Sequence, residues 1–251
     1  MAYHWDLFWM LTRTEFRMRD QGTFGGFLWT LLHPLFIFLI LYGVFTRMMA
    51  PQVEHYAAYL LIGIVQWNFF SVATTAGLTS LRRKAGLLGH FNFPRILIVL
   101  SAVFSVLISH LLEWPVLMTG LLAMGLEPNA GWLLLPAVIL VETALVAGLS
   151  CFLAVAAVHL RDLERAWSIA LYGLFFLTPV FYAAGIVSGT GRLLLSANPL
   201  AAVLAASRAL IFAHPSPALA GLLPAGAVAL ALCVSAAVLF PRMSRGLVEK
   251  L

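Results

Sequence analysis

The chain has 251 residues, 62% of them hydrophobic and 10% charged, where soluble domains carry about 25% charged residues. That composition excludes a soluble domain, and the net charge of +5 gives a topology signal rather than a nucleic-acid footprint. Apolar stretches repeat along the whole length and leave no soluble module able to hold its own core, so one all-α membrane domain over residues 1–251 is expected.

Residues 1–20 hold Asp6, Arg13, Glu15, Arg17, Arg19 and Asp20. They lack an apolar stretch ending at a small-residue cleavage site, so no removable signal is expected. Trp5, Phe8, Trp9 and Phe16 share one helical face, with Arg13 and Arg17 on another, the pattern of an amphipathic helix in the membrane interface. Six segments then approach the roughly 20 apolar residues that cross a hydrocarbon core: Leu28–Phe45, Ala57–Leu78, Ile96–Met124, Trp132–Val158, Ala166–Tyr182 and Leu219–Phe240. The third and fourth exceed that length, which predicts tilt. Cys151 and Cys233 fall inside apolar runs and are expected to pack as small hydrophobes.

Between the second and third segments lies "LRRKAGLLGHFNFPR", residues 81–95. Leu87, Leu88 and Phe91 cluster on one face of a short helix that Pro94 ends. Such a helix either floats on headgroups, with Arg82, Arg83 and Lys84 on phosphates, or sets its apolar side chains in a groove of a soluble partner. Residues 185–213 are apolar but broken by Gly185, Gly189, Gly191 and Asn198-Pro199. Two short helices dipping back from the outer face are expected there, a candidate external gate holding Arg192, Asn198, Pro199 and Arg208.

Six spans put both termini on one side, together with 12 of the 15 cations; Arg47, Arg192 and Arg208 fall on the other. The positive-inside rule makes the first side cytoplasmic. No G-x-x-x-x-G-K-[ST] occurs, and neither lysine follows a glycine, so no P-loop is expected. No His/Cys cluster has metal-site spacing, and no catalytic residue or bound metal is expected. Glu113 and Glu142 are the acids deep in apolar sequence. His110 stands one turn before Glu113, and a helix bend with Pro115 is preferred to a proton relay, which a secondary carrier would need. "AGLSC" at 147–151 suggests an intramembrane serine protease, but Ser150 has only His159 nearby in sequence, and small residues usually serve close helix packing.

Aromatic residues recur at helical spacing: Phe38, Tyr42 and Phe45 in the first span, Trp67, Phe69 and Phe70 in the second, Phe175 and Tyr182 in the fifth. They are candidates to line a channel, where ring faces would hold sugar C–H groups weakly, or to pack between helices.

"GFLWTLLHPL" (26–35), "YLLIGIVQWNFF" (59–70), "FNFPR" (91–95), "LRDLERAWSIALYGLFFLTPVFY" (160–182) and "ANPLAAVLAASRALIF" (197–212) follow one another in an order that resembles the permease subunit of ABC-2 type exporters. The likeness is to the polysaccharide and polyol-phosphate branch, which exports O-antigen and teichoic acid. His33 stands where that family usually has Asn, and Gln66 where proline is frequent. The resemblance implies a homodimeric pore in the bacterial inner membrane and two copies of a separate ABC ATPase that binds ATP and Mg. It implies a lipid-linked polysaccharide as cargo and no cofactor in this chain. It makes residues 82–93 the coupling helix, with Arg82, Arg83, Leu87, Leu88 and Phe91 facing the ATPase. Arg161, Asp162, Glu164 and Arg165 of "RDLER" would lie at the same surface, and 185–213 would be the gate helices. A drug or lipid substrate is the rival within the same family.

Overall fold

The computed structural model describes residues 2–20, 26–90, 93–213 and 217–244. Its helices are α1 (Ala2–Asp20), α2 (Gly26–Met49), α3 (Tyr56–Arg83), α4 (Ala85–His90), α5 (Ile96–Ala123), α6 (Leu135–His159), α7 (Leu163–Leu177), α8 (Thr190–Ala197), α9 (Pro199–Ile211) and α10 (Pro217–Met243). Among the described residues, five stretches are long and apolar enough to cross a membrane: Leu28–Met49, Tyr56–Arg83, Ile96–Ala123, Ala130–His159 and Leu219–Met243.

The expected fifth span differs. α7 has 15 residues, about 22 Å at 1.5 Å per residue, short of a hydrocarbon core of roughly 30 Å. It stops because Thr178 precedes Pro179 and is extended (φ −105, ψ 133), as a residue before proline prefers. The chain then turns back through α8 and α9, which are bent by 80° at Asn198. Counted as one broken span, that pair makes six. The two short helices expected over 185–213 are therefore present, and Asn198-Pro199 is their hinge. The Asn198 side chain accepts from the Leu200 and Ala201 amides, and Pro199 takes the first helical position, where its missing N–H costs nothing.

The segment expected to begin at residue 82 also differs. Arg82 and Arg83 form the last turn of α3, and the short helix α4 starts at Ala85. Arginine is a good helix former, and its charge favours a helix C-terminus.

α3 is the axis of the molecule, with α5 and α6 packed along it and 72% of its apolar stretch buried. Phe38, Tyr56, Leu60, Ile64, Trp67, Phe70, Val103 and Val146 share one apolar core. α6 lies close on α10 because Gly148 has no side chain. A Cβ there would come within 2.7 Å of Leu232 Cβ and 2.9 Å of its carbonyl carbon, the close approach small residues permit. Ser150 is turned onto Gly77 of α3, while the His159 ring bonds the Val155 carbonyl at 3.0 Å. The expected small-residue packing thus accounts for "AGLSC".

Contacts between elements separate two ends of the bundle. At one, Arg82 donates to the Arg161 carbonyl, Arg83 and Lys84 meet Glu15, and Arg95 bonds the Ser244 carbonyl. At the other, Tyr56 and Tyr59 donate to the Phe181 and Tyr182 carbonyls, and Asn129 to that of Ile211.

α1 packs on α5 rather than standing apart. Phe8 meets Phe104 edge-on with centroids 5.2 Å apart, and Arg19 bonds Ser105 and Ser109. Its inward face is Phe8, Leu11, Thr12 and Glu15. Trp5 and Trp9, expected to share a face with Phe8, point outward at 61% and 37% exposure. A helix that packs on protein and also carries aromatics elsewhere needs two apolar faces.

Candidate functional site

Four gate candidates divide into two kinds. Asn198 and Pro199 shape the hinge, and Asn198 also donates to Thr178 Oγ1 at 2.9 Å. Arg192 is exposed and Arg208 buried, and both line a cavity of about 1100 Å³ at the end opposite Arg82. The Arg208 guanidinium donates to the carbonyls of Pro179 at 2.7 Å, Val180 at 2.8 Å and Tyr59 at 3.0 Å. It also lies 3.4 Å from the centroid of the Tyr59 ring, a cation–π geometry. Burying a guanidinium is costly unless its donors are used. Here the break at Thr178-Pro179 supplies two of the three acceptors, because the Pro179 and Val180 carbonyls belong to no helix; the third, that of Tyr59, lies in the first turn of α3. Gly63 supplies the room: a Cβ there would collide with the guanidinium and lie 2.6 Å from the Val180 oxygen. Arg208 therefore ties α9, α3 and the chain after α7 into one knot. Tyr59 and Gly63 were not singled out in the sequence; both stand in "YLLIGIVQWNFF".

Deeper along α3, Gln66 bonds Ser207 of α9. His110 and Glu113 do meet, Nδ1 to Oε2, at 3.6 Å. Trp114 Nε1 donates to His110 Nε2 at 2.9 Å, and the 3.6 Å between His110 Nδ1 and Glu113 Oε2 is too long for a hydrogen bond. Glu142 is fully buried in α6.

The aromatic candidates largely converge. Trp67 meets Phe70 and Phe175 at 5.7 and 5.4 Å, Phe175 stacks on Phe181 at 5.6 Å, and Phe45 meets Phe181 at 4.9 Å. Phe38 stacks on Tyr42 at 5.5 Å, and Tyr42 on Tyr56 at 6.3 Å. Phe181 joins α2, α3 and α7 and also touches Tyr182; the period-based reading missed it because it falls six residues after Phe175, off the helical face that a seven-residue spacing gives Tyr182, and the chain turns there after α7 ends. Phe69 stands apart, stacked on His110 at 4.5 Å.

At the arginine-rich end, Arg82 and Arg161 come together, and Asp162 and Arg165 are exposed, 4.0 Å apart. Glu164 is exposed, as is Leu87; the Leu88 side chain and Phe91 lie outside the described residues. Glu15, missed in the sequence, is buried and pairs with Arg83 at 2.9 Å and Lys84 at 2.7 Å.

Residues 6–212 match the family model described as ABC-2 type transporter. The chain belongs to that family and is an integral membrane protein, its transmembrane component. It is 28% identical over 232 residues to the O-antigen export system permease protein RfbA of Myxococcus xanthus, covering 92% of this chain and 89% of the relative. It is likewise 28% identical over 211 residues to the protein of that name in Klebsiella pneumoniae, covering 84% and 82%.

Proposed function

We propose that this ABC-2 permease moves a lipid-linked polysaccharide of O-antigen type out of the bacterial cytoplasm across the inner membrane, as a homodimer driven by a separate ATPase. The observation that carries the reading is the similarity to O-antigen export permeases along 92% of the chain. The geometry supports it. Rings from α2, α3 and α7 form a continuous array; Trp67 and Phe181 in it are buried in the core, and the partly buried Phe45, Phe175 and Tyr182 beside them offer the open ring surface to sugar C–H groups. α2 itself has only 6% of its apolar stretch buried, which leaves it free to face lipid or a second copy. Both termini are cytoplasmic in this reading, and α8–α9 form the external gate.

The ATPase meets α4 and the α6–α7 turn, with Leu87, Leu88 and Phe91 as the apolar contacts and Asp162 and Arg165 beside them. Closure of the ATPase on ATP pushes α4, and the push reaches α3 through Lys84. The test is Leu87→Ala with Phe91→Ala in the permease–ATPase complex. Surface polymer should fall by about tenfold while ATP hydrolysis persists. Normal export by an assembled variant complex would sink the coupling role of α4.

A further inference from the structure

The half of α3 nearest Arg82 carries Ser71, Thr75 and Thr79, spaced four apart and so aligned on one face. They line a groove of about 1020 Å³ between α3, the end of α6 and α7, and Arg82, Arg83, Arg161 and Glu164 line it too. Each hydroxyl proton is already committed within the helix: Ser71 Oγ donates to the Asn68 carbonyl at 3.2 Å, Thr75 Oγ1 to that of Ser71 at 2.7 Å, and Thr79 Oγ1 to that of Thr75 at 3.1 Å. A hydroxyl has one donor and two acceptor positions, so the stripe offers the groove acceptors. Its chemical complement is a molecule rich in O–H donors. At the arginines the demand reverses. Guanidiniums are donors only, and their planar fork fits phosphate oxygens. Arg83 is engaged by Glu15, and Glu164 adds one negative charge, which leaves Arg82 and Arg161 to set the sign.

We infer that this groove is a carbohydrate subsite. It takes a phosphorylated glycan, with Arg82 and Arg161 on the phosphate and Ser71, Thr75 and Thr79 accepting from sugar hydroxyls. The inference rests on the polysaccharide reading above, and it assigns Arg82 and Arg161 to the cargo rather than to the ATPase.

The experiment uses the permease–ATPase complex in vesicles, with polymer purified from the same cells, lipid still attached, as the probe. Two variants are compared with wild type: Ser71→Ala/Thr75→Val/Thr79→Val, which removes the acceptors and keeps the shape, and Arg82→Gln/Arg161→Gln, which changes only exposed groups. In each, the polymer concentration giving half-maximal stimulation of ATP hydrolysis should rise about tenfold, the loss of one or two hydrogen bonds, while co-purification with the ATPase stays at the wild-type level. Polymer stripped of phosphate by mild acid should be weakened further by the hydroxyl variant and not by the arginine variant. Stimulation curves unchanged in both variants would overturn the groove and leave the export reading standing, as would Thr75→Cys cross-linking to a second copy or to the ATPase in resting vesicles. A wild-type complex indifferent to polymer would overturn both.

Discussion

Arg208 near one end of α3 and Arg82 at the other place the same side chain in opposite surroundings. The first is buried and spends its donors on three backbone carbonyls; the second is exposed and makes one long contact, 3.4 Å, to the Arg161 carbonyl. A desolvated cation persists only where the fold supplies every partner, so Arg208 is part of the structure. A hydrated one costs little to hold and keeps donors for something that arrives. Cations in a membrane chain are thus of two kinds, and burial together with partner type tells them apart where charge alone does not.

Substitutions at the two ends break or sharpen that contrast. The largest effect is expected from Arg208→Ala, which leaves three carbonyls without their shared donor and should cost at least about 4 kcal/mol. Gly63→Ala should act alike by expelling the guanidinium. Both are read as loss of a monodisperse peak on heating in detergent, and a wild-type melting profile for either would undo the structural role of the knot. Next comes Glu15→Ala at the basic end, which leaves Lys84, 11% exposed, beside Arg83 with no acid. About 2–3 kcal/mol should be lost, and Glu15→Asp should restore part of it in the same melting assay. Asn198→Ala should cost about 1 kcal/mol, an ordinary N-cap loss, visible as a small drop in melting temperature. Smallest of all, Arg82→Gln should leave that temperature within experimental scatter; a large drop would mean that the exposed arginine, too, holds the fold.

Much of this could be read in the sequence. Apolar lengths located α2, α3, α5, α6 and α10 to within a few residues, because a bilayer imposes a minimum span. The Gly and Asn-Pro breaks located α8 and α9, because backbone chemistry is local. What the sequence concealed was tertiary. The early stop of α7 at Thr178 makes sense beside Arg208, which takes up the carbonyls that the stop releases. The inward turn of Phe8 and Glu15 on α1 required knowing that α5 lies alongside. Phe181 escaped because it falls off the face that helical spacing picks out from Phe175, and the turn after α7 brings it back onto that ring. At the basic end, the cluster of cations was plain, but its division between Glu15, the Arg161 carbonyl and an open groove depends on which turns of α1, α3 and α7 come together.

The Glu15 carboxylate has a mechanical consequence. α1 is fastened at two places: to Arg83 and Lys84 at the foot of α3, and through Arg19 to Ser105 and Ser109 on α5. Under the coupling proposed above, a shove delivered to the short loop helix does not stay there. It must either drag this tie-rod sideways, shifting two membrane columns together, or tear the ionic joint open, and the joint's strength then sets the torque above which the gearing slips.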